Sequence, residues 1–266
     1  MTETKYYFPN QVINSMNIPF TIKLATRTND DVIQGILEQV TYTIKRELNQ
    51  VDKEFSPFRS DSLLVKFQNG DLDPLLKYDS FQSVFVQSKL AEEMTDNYFS
   101  AHFEDKYDPT GIVKGWVIEK SFESNLRELL DDPDIDGVSL NGGGDMKFAT
   151  KKNVDFRWGI GIEDPNDLQN IATSFYLKNG AVATSGMNKR GQHIVQNNSS
   201  NIQQVTVISS SLVDADVWAT AGISAGTEQF SKMIWNSRLT GVLFDQEEGQ
   251  IHFRNGVLKH AQKTSF

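Results

Sequence analysis

The chain contains no cysteine in 266 residues. That excludes disulfides, Cys-ligated zinc, iron–sulfur clusters, thiol nucleophiles and a lipidated N-terminal cysteine. Positive charge is also scarce: 26 Lys and Arg stand against 35 Asp and Glu, a formal net charge of −9. A dedicated nucleic-acid binder carries a basic footprint, so that class is set aside, although a local cationic pocket for phosphates is not. No apolar run approaches the roughly 20 residues of a membrane helix. With 38% hydrophobic residues and a mean hydropathy of −0.42, the chain reads as a polar soluble protein. The four histidines, at 102, 193, 252 and 260, never pair at metal-ligand spacing, which argues against zinc. The first residues, MTETKYYFPNQVINSM, lack a basic stretch followed by an apolar one, so a cytoplasmic protein is expected.

Length alone allows about two domains. There is no internal repeat, low-complexity tract or linker, so one compact unit over 1–266 is expected. Residues 18–26 alternate like a strand. Asn29-Asp30-Asp31 supplies a helix cap, and Val32, Ile36, Val40, Ile44 and Leu48 follow at helical spacing to about Val51. Residues 55–62 read as an ordered loop with aromatic anchors, and 69–71 as a turn. Phe81, Val84, Phe85, Leu90 and Met94 suit a second helix, and Ile112, Trp116, Ile118 and Phe122 a third. Strands are expected at 137–140, 156–162, 171–177 and 204–209, helices at 214–224 and 227–237, and a hairpin over 241–254. The mixture, with its hairpin signals, favours an α/β unit with substantial antiparallel pairing.

Five segments carry groups that could do chemistry. In Asp108-Pro-Thr-Gly-Ile-Val-Lys114 a turn at a helix start offers backbone N–H groups to an anion, with a lysine one turn inside. The spacing is not that of a Walker loop, and a capped helix with a solvated lysine reads equally well. Asn141-Gly-Gly-Gly-Asp145 allows either close backbone approach to a ligand or a tight turn. Ala183-Thr184-Ser185-Gly186 offers two hydroxyls, or merely a strand exit. His193 can be a general base or a surface residue. Asp216 and Thr220 place a carboxylate and a hydroxyl on one helix face, suited to Mg²⁺ or to no ligand at all.

Taken together and in order, from about Met16 to Gly226, these segments resemble the FAD:protein FMN transferase family, ApbE. Met16-Asn-Ile-Pro-Phe20 resembles the family's Met-Gly-Thr-x-Phe segment, keeping Met and Phe. Asp52 with Phe55-Ser-Pro-Phe-Arg-Ser-Asp-Ser62 resembles D-x-x-F-S-x-[YF]-R-x-D-S, and Asp108 to Trp116 resembles D-x-x-[GA]-I-x-K-G-[YW]. Asn141–Asp145, Trp158-Gly-Ile-Gly-Ile162 with Asp164-Pro165, Ala183–Gly186, His193-Ile194 and Asp216 to Thr220-Ala221 follow in family order. The resemblance implies an α+β, T-fold-like domain with a mixed, largely antiparallel sheet and packed helices.

It also implies an enzyme that binds FAD and Mg²⁺, transfers FMN to a Thr or Ser hydroxyl of an acceptor protein, and releases AMP. By matching position, Asp216, Thr220 and the Gly111 carbonyl would hold the metal. Met16, Phe58, Asp108, Lys114 and Thr184 would contact FAD, and His193 would deprotonate the acceptor hydroxyl. Two departures stand out. The family often follows His-Ile with an acid and proline, where this chain has His193-Ile-Val-Gln. The family's Phe-Asp-Pro appears as Phe99-Ser100-Ala101. The alternatives are an FAD pyrophosphatase giving FMN and AMP, and a flavin-binding protein without catalysis. The family's acceptor motif, Asp-Gly-x-Ser/Thr-Gly-Ala-Ser/Thr, is absent, so a separate acceptor is expected.

Overall fold

The computed structural model describes residues 5–186 and 201–260. In chain order, strands β1 (Asn10–Ser15) and β2 (Ile18–Thr26) lead into helix α1 (Asp31–Phe55), then α2 (Leu63–Gln68), α3 (Asp73–Lys77) and α4 (Asp79–Met94). A small ladder, β3 (His102–Phe103) with β4 (Lys106–Tyr107), precedes α5 (Thr110–Asn125) and a 3₁₀ turn at Arg127–Asp131. Strands β5 (Ile135–Gly142), β6 (Asp145–Thr150), β7 (Trp158–Asp164), β8 (Asp167–Leu177), β9 (Gly180–Gly186) and β10 (Ile202–Ser209) follow. The described chain closes with α6 (Leu212–Asn236), β11 (Thr240–Asp245), β12 (Gly249–Arg254) and β13 (Val257–His260).

Nine strands form one sheet in the order β1-β2-β5-β6-β9-β10-β11-β12-β13, antiparallel at every pairing. Period-two alternation sends successive side chains to opposite faces. Ala149, Ala181, Ala183 and Leu243 join the main core under α1, α5 and α6. Their neighbours Phe148, Val182, Val242 and Phe244 join a second core with Trp158, Ile160 and Ile162 of the β7–β8 hairpin. The sheet is therefore a wall, with helices on one side and a hairpin on the other. Among the described residues no helix is long and apolar enough to cross a membrane.

Most expected elements are present, with shifts that have physical causes. Helix α1 is capped by Asp30, whose carboxylate accepts the Ile33 N–H at 3.1 Å. Its buried stripe is Ile33, Leu37, Val40, Ile44, Leu48, Val51 and Phe55, while Val32 is exposed. A strict spacing of four drifts about 40° per step, so only the alternating threes and fours stay on one face. Leu90 and Met94 of α4 are likewise exposed rather than part of its stripe. The two helices expected at 214–224 and 227–237 are present as the two halves of α6, separated at Gly226, whose φ of 75° lies outside the helical region. Strands β1 and β9 went unread, because NQVINS and GAVATSG lack a clean alternation of apolar and polar residues.

Candidate active site

The β5–β6 turn closes at Gly143 and Gly144, with φ of 62° and 102°, which glycine alone adopts without strain. It delivers Asp145 to the helix side of the sheet, where it is buried. The β6–β9 ladder ends at Met146 opposite Val182. Just beyond the ladder's end Asp145 Oδ1 accepts the Thr184 backbone N–H at 3.1 Å.

Lys114 comes down from α5 onto this acid. Pro109 precedes the helix, and Asp108 Oδ1 accepts the Thr110 N–H at 3.0 Å, so Asp108 itself takes one of the amides that the turn offers. One turn further on, Lys114 Nζ forms an ion pair with Asp145 Oδ2 and lies 3.7 Å from Asp216 Oδ2. Asp216, fully buried on α6, faces Gly115: a Cβ on that glycine would lie 3.6 Å from Asp216 Oδ2. A second hydroxyl pair continues the site, with Ser185 Oγ 3.1 Å from Thr220 Oγ1.

Among the described residues, two buried carboxylates thus face the Lys114 ammonium. Burial first, and then the Asp216 charge, push the Asp145 carboxyl up to about 6, while Lys114 opposes the rise. Such an excess of negative charge suits a hard divalent cation with oxygen ligands. Helices α5 and α6 run antiparallel, since Glu119 meets Leu212 and Gly115 meets Asp216. Gly111 on α5 and Thr220 on α6 each lie one turn further along their helices in that direction. The residues present therefore fit an oxygen-bound metal. Among the described residues no group of three or more His, Cys, Asp or Glu could hold one.

Of the expected site residues, Lys114, Asp216 and Thr220 form the cluster, and Gly111 and Asp108 lie along the start of α5. Thr184 reaches it through its backbone; its hydroxyl is on the opposite face of the sheet, 2.9 Å from Thr206 Oγ1. Ser185, one residue on, is the hydroxyl that faces the helices. Met16 occupies the β1–β2 turn, with φ of 51°. That turn neighbours the glycine turn, since Gly143 N–H donates to the Pro19 carbonyl at 3.3 Å. Phe58 stands apart, 88% exposed on the loop after α1. His193 lies outside the described residues. The divergent Phe99-Ser100-Ala101 segment sits beside the α5 motif. Its Ala101 carbonyl accepts the Asp108 N–H at 2.8 Å, and a Cβ on Gly111 would lie 3.6 Å from the Phe99 ring. Buried Glu92 anchors the segment by accepting the Ala101 N–H at 2.9 Å.

Sequence reading did not single out Asp145 or Ser185. The available signal was an acid placed directly after a triple-glycine turn, and a hydroxyl at a position that alternation turns inward.

Residues 104–244, just over half of the chain, match the sequence profile of the ApbE family. The chain belongs to the ApbE family. The profile spans the α5 motif, the glycine turn, Ser185 and the Asp216–Thr220 pair. Among curated relatives, the FAD:protein FMN transferase of Buchnera aphidicola subsp. Baizongia pistaciae (strain Bp) is 29% identical over 140 residues, 48% of this chain and 41% of that protein. The FAD:protein FMN transferase of Klebsiella pneumoniae (strain 342) is 26% identical over 157 residues, 54% of this chain and 46% of that protein. The matched region thus spans less than half the length of either relative. The ApbE fold extends over nearly the whole chain. The flavin transferase ApbE of Vibrio cholerae superposes with a TM-score of 0.70 at 16% identity, covering 94% of this chain and 98% of the other. The ApbE protein of Thermotoga maritima gives 0.69 at 16% identity, with 97% of each chain covered.

Proposed function

We propose that this chain transfers the FMN moiety of FAD to a Thr or Ser hydroxyl of a separate acceptor protein, releasing AMP. The observation that carries the reading is the half-buried Lys114 set against the buried Asp145 and Asp216, with Thr220 one turn beyond Asp216 on α6. Such a cluster suits displacement at a pyrophosphate, which needs charge neutralised and reactants held in line. The names of the two curated relatives support the same activity.

In this reading the acceptor oxygen forms a bond to the FMN phosphorus. The bond from that phosphorus to the bridging oxygen breaks, and AMP leaves with that oxygen. His193 takes the hydroxyl proton. Lys114 places a cation against the pyrophosphate, while Met16 and Asp108 hold the flavin nucleotide; the Thr184 hydroxyl faces the other side of the sheet and Phe58 stands apart, so neither is given a contact. Asp216, Thr220 and the Gly111 carbonyl hold Mg²⁺, which when bound supplies a Lewis acid to the phosphoryl oxygens. Burial of Asp145 and Asp216 keeps water from competing for the cation.

The test is to incubate the full chain with FAD, Mg²⁺ and a fragment bearing Asp-Gly-x-Thr-Gly-Ala-Thr, and to weigh the fragment. The expected result is a gain of one FMN moiety that EDTA abolishes. Free FMN and AMP without a gain would replace the transferase by a pyrophosphatase. Unchanged FAD under all conditions would replace it by a binding protein.

A further inference from the structure

Behind the ionic cluster lies a second set of contacts between the same three elements. Glu119 of α5 accepts from Ser211 Oγ at 2.9 Å, from Leu212 N–H at 2.9 Å and from Val213 N–H at 3.3 Å, all through Oε2. Its Oε1 accepts from Lys147 Nζ of β6 at 2.6 Å. Lys147, only 4% exposed, also donates to the Ser210 carbonyl at 2.6 Å, just ahead of α6. A carboxylate at a helix N-terminus satisfies orphan amides and meets the positive end of the helix dipole. Glu119 therefore fixes where α6 starts relative to both α5 and β6.

The spacing connects this tie to the cluster. Lys114 precedes Glu119 by five residues on α5, and Asp216 follows Ser211 by five on α6, a rise of about 7.5 Å on each helix. Asp145 precedes Lys147 by two on β6, about 6.7 Å along the same face. The tie and the cluster are thus two rungs, nearly equally spaced on all three elements. Sliding or rotating α6 at the first rung displaces Asp216 and Thr220 at the second.

We propose that Glu119 is the positioning residue of this site: it sets the register of α6 against α5 and β6, and thereby the placement of Asp216 and Thr220. The proposal rests on the reading of Asp216 and Thr220 as cation ligands. It concerns geometry that can be measured without turnover.

The test compares the full-length chain with Glu119→Ala, Glu119→Gln and the double variant Glu119→Gln/Lys147→Met. Glutamine still accepts the α6 amides, and methionine removes the lysine charge it would leave behind. Hydrogen exchange of amides 212–220, Mg²⁺ titration by calorimetry, and kcat and KM for FAD are read on each. For Glu119→Ala the expected results are at least tenfold faster exchange in the first turns of α6, about tenfold weaker Mg²⁺ binding, and a fall in kcat with KM for FAD unchanged. The double variant should recover to within about threefold of the parent on every readout. A folded Glu119→Ala protein with parental exchange at 212–220 overturns the proposal. So does a folded double variant as impaired as the alanine. If Glu119→Ala does not fold, the double variant alone decides by the same exchange measurement. If the parent binds no Mg²⁺, the cation reading fails, and the exchange data still judge the register.

Discussion

The two rungs that cross α5, β6 and α6 use the same residue types and are opposite in character. Around Glu119 and Lys147 two acids meet two bases: Lys147 pairs with Glu119 and lies 3.5 Å from Glu123, which also accepts from Arg127, and Glu119 receives three further donors from the start of α6. Charge and hydrogen bonding are balanced there. At Lys114, among the described residues, two buried acids meet one base, and one of them has its carboxyl pushed up to about 6. One rung is built to hold and the other to receive. Excess charge kept in a buried place, with its surroundings fixed about 7.5 Å away, is a pre-organised receptor for a cation and a phosphate.

The comparison can be broken most sharply at Asp216. Asp216→Ala should lower transferase turnover by about 10³-fold while FAD still binds, as followed by fragment mass and by flavin fluorescence. Retention of turnover would remove Asp216 from the metal. Next comes the balanced rung: Lys147→Ala should cost about 2–4 kcal/mol of folding stability, because a buried ion pair loses one partner. Urea denaturation measures this, and a loss under 1 kcal/mol would show the rung to be slack.

The third effect has the opposite sign. The Asp145 carboxyl rises from 3.8 to about 6 in the folded chain, so the native state holds that proton more tightly than the unfolded one. Stability from this group is greatest at low pH, falls as pH climbs from about 4 to about 6, and stays low above that. Asp145→Asn keeps an oxygen to accept the Thr184 N–H and removes the charge. It should stabilise the metal-free protein by about 1–3 kcal/mol above pH 6.5 and by nothing measurable near pH 3.5. A pH-independent gain would place its origin outside the carboxyl titration. The smallest change is Ser185→Ala, which removes one hydrogen-bond partner of the Thr220 hydroxyl. About 1 kcal/mol is expected, with Mg²⁺ affinity reduced two- to fivefold.

What could be read from the sequence followed from how local each signal is. Helix α1 shows itself by its Asp30 cap and long stripe, and α5 by its motif, because capping and periodicity are properties of neighbouring residues. The cluster was legible in part: Lys114, Asp216 and Thr220 fall inside recognisable segments. Asp145 and Ser185 also fall inside candidate segments but were given no role, because their importance comes from pairing of β6 with β9 and of β9 with β10, which is decided across dozens of residues. The same distance hides the face of Thr184: alternation says that it and Ser185 point opposite ways, but only the sheet's position says which way the helices lie. Glu119 was invisible for a further reason, since an acid in mid-helix is ordinarily a solvated one.

Equal rung spacing has a consequence for how the chain tolerates insertions and deletions. Three stretches, Lys114 to Glu119, Asp145 to Lys147 and Ser211 to Asp216, act as matched rulers. Removing one residue from a helical ruler rotates everything beyond it by about 100°, and removing one from the strand turns the next side chain to the other face. The segment at 151–157, between β6 and β7, bears no such constraint. Length variation within this fold should therefore collect there, and single-residue gaps should be purged from the three rulers.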